Sequence, residues 1–234
     1  IREFCLSRGL GDVYKRQPNN TQNTANLTIN GGAHVTVNRP SSEDKPAVEV
    51  SGNLTVTGDG TQLSAECTAA TNPAIQVGGN ASFTGSTVTI TNHSTALHKD
   101  AAGSTKGDSV SSALYVKGNI NTDNANVTAK VENGGGNAIG ALGNITVNGS
   151  NVTAVNKGQK FTTIIAENVY VSGDSKITAN NLNKNPPHNG SYLAFPAIEG
   201  KIVNQNTDYS LKFEGQHSSC LLYTSPSPRD RQKS

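Results

Sequence analysis

The sequence predicts an all-β fold, a right-handed single-stranded parallel β-helix (a solenoid) of about six to seven rungs. Three observations predict it. A unit of the form Asn-apolar-Thr-apolar-x-Gly recurs along the chain. Each copy is accompanied by two further short runs in which apolar and polar residues alternate. The composition, with 24 Gly, 33% hydrophobic residues and only 15% charged ones, leaves Asn, Thr and Gly dominant with Val and Ile between them. Such a mixture suits many short strands closed by tight turns. It leaves no apolar run near the ~18–20 residues of a membrane-spanning helix, and charge too sparse for a coiled coil or a charged tail.

The first strand of each rung opens at Asn26 (NLTING), Asn53 (NLTVTG), Asn80 (NASFTG), Asn119 (NINTDN), Asn144 (NITVNG) and Asn168 (NVYVSG), with a weaker seventh copy at Lys201 (KIVNQN). The intervals are 27, 27, 39, 25, 24 and 33 residues. The second strand follows the turn, as at 34–37 (HVTV), 87–90 (TVTI), 126–129 (NVTA), 151–154 (NVTA) and 176–179 (KITA). The third precedes the next Asn, as at 48–50 (VEV), 75–77 (IQV), 114–116 (LYV), 139–141 (IGA) and, less cleanly, 163–165 (TII). Apolar residues at i and i+2 put one face inward and leave Thr, Glu, Gln or Asn outside. One rung of ~25 residues cannot bury its own inner face. Stacking rungs at ~4.8 Å pairs their backbones in parallel and builds a continuous core. Six-residue steps, the mark of a left-handed hexapeptide helix, are absent, so the right-handed form is expected, with a stack roughly 30 Å long.

The turns carry a matching signature. Gly precedes the repeat position at Gly52, Gly79, Gly118, Gly143 and Gly200. Five residues after it stands Gly31, Gly58, Gly85, Asn124, Gly149, Gly173 or Asn206, the residue types that accept a left-handed backbone cheaply. One recurring turn geometry is expected there. The repeat asparagines Asn26, Asn53, Asn80, Asn119, Asn144 and Asn168 should stack vertically, their amides hydrogen-bonding along the column as a ladder. Several also begin N-x-[ST], but repetition in an Asn- and Thr-rich chain generates that triplet by itself. Length variation falls between the second and third strands, near 39–46, 67–73, 92–112, 132–137 and 183–196. In a solenoid such insertions project from one side, often the binding side.

The two ends read differently. Residues 7–17 (SRGLGDVYKRQ) and 220–230 (CLLYTSPSPRD) match translations of a transposase adapter used in shotgun DNA sequencing, read on its opposite strands. Segments 1–17 and 220–234 are therefore expected to be adapter-derived, and 18–219 to be the β-helix, an internal piece of a longer reading frame. The full chain has 19 Lys+Arg and 17 Asp+Glu, a net charge of +2. The two ends hold seven of the former and three of the latter, so 12 and 14 remain and the net charge becomes −2. No electrostatic case for nucleic acid survives. Of three cysteines only Cys67 lies between the ends, so no intrachain disulfide is expected there.

Chemistry-bearing clusters are sparse. Asp59 and Asp174 share a turn position but sit on rungs two and six, and Asp123 is two positions off that register. A calcium site needs several converging oxygens, and a glycosidase needs a carboxylate pair ~5–10 Å apart. No GGxGxD, DD or DxD run supplies either. His93, His98 and Asp100 share the longest insertion and read as solvated loop residues. No catalytic residue, cofactor or metal site is expected. Tyr115 and Tyr170, placed outward by their strands, and the loop residue Tyr192 are the candidates for stacking on sugar rings.

The repeat resembles bacterial cell-surface right-handed β-helix proteins, many of them labelled carbohydrate-binding or adhesin-like, which carry similar G-N-[IL]-T-[VI]-x-G units. The resemblance covers nearly all of 18–219. It implies export, a place at the cell envelope and a polysaccharide or host-surface glycan as partner. The leading expectation is a non-catalytic stalk or adhesin-like module with glycan contacts on the insertion side. The alternative is the scaffold of a polysaccharide lyase or hydrolase whose catalytic rungs lie elsewhere. Open strand edges at both ends would permit end-to-end self-association. No membrane insertion is expected of this segment.

Overall fold

Apolar residues two apart in a short extended run share one face of the strand. In this chain that face turns inward at run after run. The structure, a computed structural model, describes residues 24–40, 45–68, 71–94, 111–158, 161–182, 197–205 and 210–215. All regular elements among them are strands.

The first rung holds β1 (Leu27–Ile29), β2 (His34–Arg39) and β3 (Val48–Val50). The second holds β4 (Leu54–Thr57), β5 (Gln62–Cys67) and β6 (Ile75–Val77), and the third β7 (Ala81–Thr84), β8 (Thr87–Asn92) and β9 (Leu114–Val116). The fourth holds β10 (Ile120–Asp123), β11 (Asn126–Val131) and β12 (Ile139–Ala141). The fifth begins with β13 (Ile145–Asn148) and β14 (Asn151–Asn156). Its third run then merges with the first strand of the sixth rung in the nine-residue β15 (Ile164–Ser172). After β16 (Lys176–Asn181), β17 (Ile198–Asn204) repeats the merger, and β18 (Ser210–Gly215) is the last strand.

Every pairing is parallel, and equivalent strands stack into three faces of a β-solenoid. The first face runs β1-β4-β7-β10-β13 and on into the C-terminal parts of β15 and β17. The second is a sheet of seven strands, β2-β5-β8-β11-β14-β16-β18. The third runs β3-β6-β9-β12 into the N-terminal parts of β15 and β17. The second face is the regular one, each pair matching over six residues. A register irregularity falls between Ile165 and Asn168, in the pairing of β15 with β17.

The core is a stack of matched layers. Leu54, Ala81, Ile120 and Ile145 follow one another up the first face, as do Val56, Phe83, Thr122 and Val147. Phe83 and Phe161 are the largest fully buried side chains, and Ala81 on the same strand as Phe83 offsets its volume, as close packing requires. In the first rung the equivalent inward residues Leu27, Val35 and Val37 are only half-buried. Each fully buried Val or Leu in the layers above contributes about 1.5–3 kcal/mol by leaving water.

The strands differ from the sequence expectation in extent at two places in the rung. The second-face strands run two residues beyond the alternating runs, because Asn92, Val131, Asn156 and Asn181 continue the inward parity. The run at 163–165 does not end there but continues to Ser172. A strand that the V-T-[VIA] pattern does not mark, β5, has the sequence QLSAEC, with Leu63, Ala65 and Cys67 facing inward.

Candidate functional site

Three corners join the three faces, and each satisfies its backbone in its own way. Between the first and second faces the chain turns through a left-handed residue. Gly31, Gly58, Gly85, Asn124, Gly149 and Gly173 all have φ between 48° and 101°. Asn206 lies outside the described residues. The residue just before the second strand is small and buried: Thr61, Ser86, Ser150 and Ser175. Their hydroxyls are consumed inside the corner. Thr61 Oγ1 donates to the Thr57 carbonyl at 2.9 Å and accepts from the Gly32 amide at 3.0 Å. Ser86 Oγ donates to the Val56 carbonyl at 3.0 Å, and Ser150 Oγ accepts from the Ala125 amide at 3.0 Å.

At the corner between the third and first faces stand the repeat asparagines. The ladder they form is mainly side chain to backbone. Asn26, Asn53, Asn80 and Asn119 each accept, on Oδ1, the backbone N–H of the Asn one rung above, every time at 2.8 Å. Amide meets amide only at the top, where Asn168 Nδ2 donates to Asn144 Oδ1 at 2.8 Å. The Gly before each upper Asn explains the geometry. A Cβ at Gly52, Gly79, Gly118 or Gly143 would run into the Oδ1 of Asn26, Asn53, Asn80 or Asn119 respectively. Beneath Asn168 the preceding residue is Glu167, and there the bond is of the other kind.

The third corner takes the insertions. The turns after the third strand span three residues at 51–53, 78–80, 117–119 and 142–144, while the segments after the second strand range from 68–74 to 93–113. Buried asparagines that sequence reasoning missed hold this mouth together. Asn92 Nδ2 donates to the Asn72 and Ser112 carbonyls at 3.0 and 2.9 Å, and Asn92 Oδ1 accepts from the Ser94 amide at 2.8 Å. Asn156 Nδ2 lies within reach of the Gly136, Phe161 and Thr162 carbonyls, and its Oδ1 accepts from the Gly158 amide at 2.9 Å. Asn137 and Asn181 donate to the Thr162 and Phe161 carbonyls. The signal was present: Asn92, Asn156 and Asn181 lie two residues after inward Ile90, Ala154 and Ala179. A polar residue at inward parity marks a buried group that must be satisfied.

The sugar-stacking candidates separate. Tyr115 points off the outer side of the third face yet is 5% exposed, so it offers no open ring. Its register neighbour Gly140 has no side chain. A Cβ there would lie 3.7 Å from Tyr115 Cδ2 and 3.6 Å from Ile165 Cγ2, so ring and methyl close over the glycine. Tyr170 is half-buried on the first face. Tyr192 lies outside the described residues, as do His98, Asp100 and the segments 1–17 and 220–234.

Charged groups are scattered. Lys157 Nζ meets Glu132 Oε2 at 2.7 Å, and His93 Nε2 stands 3.9 Å from Glu66 Oε2, both pairs at the surface beside the insertion corner. Asp123 Oδ1 accepts from Asn148 Nδ2 at 2.7 Å, a tie between rungs. Among the described residues no three of His, Cys, Asp and Glu gather as a metal site would need. Cys67 is buried and its thiol donates to the Lys45 carbonyl at 3.6 Å.

Comparison with protein-family models, with curated protein sequences and with solved structures gives no match. The fold and the geometry above are therefore what the functional reading rests on.

Proposed function

We propose that this solenoid is a non-catalytic surface module, a stalk or adhesin-like element displayed outside a bacterial cell or on its wall, which contacts glycans through its insertion corner. One observation carries the reading. The column keeps two of its corners short and nearly constant while the third absorbs residues 93–113 without disturbing the register of β8 with β11. A rigid rod with one variable edge suits presentation of recognition loops at a distance from an anchor. The half-buried Leu27, Val35 and Val37 of the first rung support a second property, end-to-end association of copies.

The test is incubation of the chain with a panel of plant, algal and bacterial polysaccharides, with retention and reducing-end release measured together. Retention without release is expected, and for at least one polysaccharide of the panel it should disappear when residues 95–110 are replaced by a short Gly-Ser linker. Release of new reducing ends, or of unsaturated products, would overturn the reading in favour of a lyase or hydrolase scaffold.

A further inference from the structure

One row of side chains on the second face carries a hydroxyl on every strand from β2 to β16. Thr36, Ser64, Thr89, Thr128, Thr153 and Thr178 are successive register partners on β2, β5, β8, β11, β14 and β16. All six alternate with inward residues and so point outward; Thr36 and Thr89 are exposed and the other four half-buried. The hydroxyls at the first corner are all spent on backbone groups. The hydroxyls of these six, by contrast, have no hydrogen-bond partner among the described residues. Six donor–acceptor groups thus stand unpaired in a straight line, at the ~4.8 Å step of the rungs.

The flanking rows keep the line neutral at its centre. On one side lie Gln62, Thr87, Asn126 and Asn151, with Asn151 Nδ2 donating to Asn126 Oδ1 at 3.1 Å. On the other, Glu66 and Lys130 are of opposite sign and two rungs apart. Lys176, in register with Asn151, and Lys212, in register with Thr178, stand only at the upper end, so the middle of the face has no net charge. Each Thr also sets a methyl beside its hydroxyl, an apolar contact for a C–H edge.

We infer that the second face is a binding track for a neutral, extended β-linked polysaccharide lying parallel to the solenoid axis. Its pyranose units advance by about one rung each, so that successive sugars present a hydroxyl and a C–H edge to successive Thr residues. The inference rests on the reading that the module faces glycans, and adds to the insertion corner a second contact on a strand face. A single sugar–Thr contact is weak. Contacts linked in one chain act at high effective concentration, so binding must grow with chain length.

The test uses the full chain with β-1,4-linked oligomers of glucose, mannose and N-acetylglucosamine, read by calorimetry. For at least one series affinity should tighten from about two to about six units and then level off, when the track is filled. Thr89→Val and Thr128→Val keep shape and strand propensity while removing the hydroxyl, and each should weaken the longest oligomer about fivefold. The 95–110 replacement should leave that affinity unchanged. Affinity independent of length, indifference to both Val variants, or no binding in any series would overturn the inference. Binding lost with the insertion corner but kept by the Val variants would overturn it too, while leaving the preceding reading standing.

Discussion

At the scale of single residues, the fold is held by pairs that work only together. Asn80 can accept the Asn119 amide because residue 118 has no side chain. Gly118→Ala should therefore destabilise by about 1–3 kcal/mol through overpacking, as read by urea denaturation. Adding Asn80→Gly should recover part of that loss, because the side-chain oxygen is gone while the close approach to the Gly79 carbonyl remains. Losses that simply add in the double-mutant cycle would refute the coupling. The buried asparagines give a second contrast. Asn156→Ala strips partners from several buried backbone groups and should cost about 3 kcal/mol or more. Asn126→Ala, exposed on the second face, should stay within about 0.5 kcal/mol. At Asn124, φ is 48°, so Asn124→Gly should be nearly neutral and Asn124→Ala should cost about 1 kcal/mol.

At the scale of strands and corners, the tyrosines are the discriminating case. Tyr115 sits closed over Gly140, whereas Tyr170 is half-buried on another face. Tyr115→Ala should lower stability by about 3 kcal/mol or more, in the range of large aromatic truncations, and Tyr170→Ala by clearly less; equal losses in a denaturation series would refute the assignment. This marks where the sequence was legible and where it was not. Inward parity, the left-handed turn and the corner of insertion follow from i, i+2 patterning and from Gly and Asn spacing, so they could be read residue by residue. The fate of Tyr115 depended on a glycine twenty-five residues away, and strand parity alone gives it as outward. The donor in the ladder was not legible for a similar reason: the column of Asn acceptors is evident at Asn53, but the vacancy that lets a backbone N–H reach it belongs to Gly79 on the next rung. Strand β5 escaped notice because its inward Leu, Ala and Cys are spaced by Ser and Glu rather than by Thr.

At the scale of the whole molecule, no rung is stable without neighbours. Every strand pair joins residues of different rungs, so folding awaits long-range closure and should be slow for the chain's size. Stability in such a stack is a sum of nearest-neighbour terms. Amide exchange should accordingly be slowest in β7, β10 and β13 and fastest in β1 and β2; uniform protection from end to end would count against this. The half-buried Leu27, Val35 and Val37 should drive concentration-dependent association. Replacing Val35 and Val37 by Thr should shift sedimentation toward the monomer, and unchanged sedimentation would show that another surface mediates contact.

The neighbouring positions Gly52 and Asn53, Gly79 and Asn80, Gly118 and Asn119, and Gly143 and Asn144 have a consequence for how such a chain can lengthen. The glycine is the socket for the plug below, and the asparagine beside it is the plug for the socket above. Both halves of the joint therefore travel on one dipeptide. Any stretch of coding sequence copied from one such dipeptide to the next inserts a rung that fits its lower and upper neighbours without further change. The column is in this sense self-templating, and unequal recombination can tune its height in steps of one rung. At Glu167 the dipeptide is broken, and a copy cut there would carry a plug without its socket.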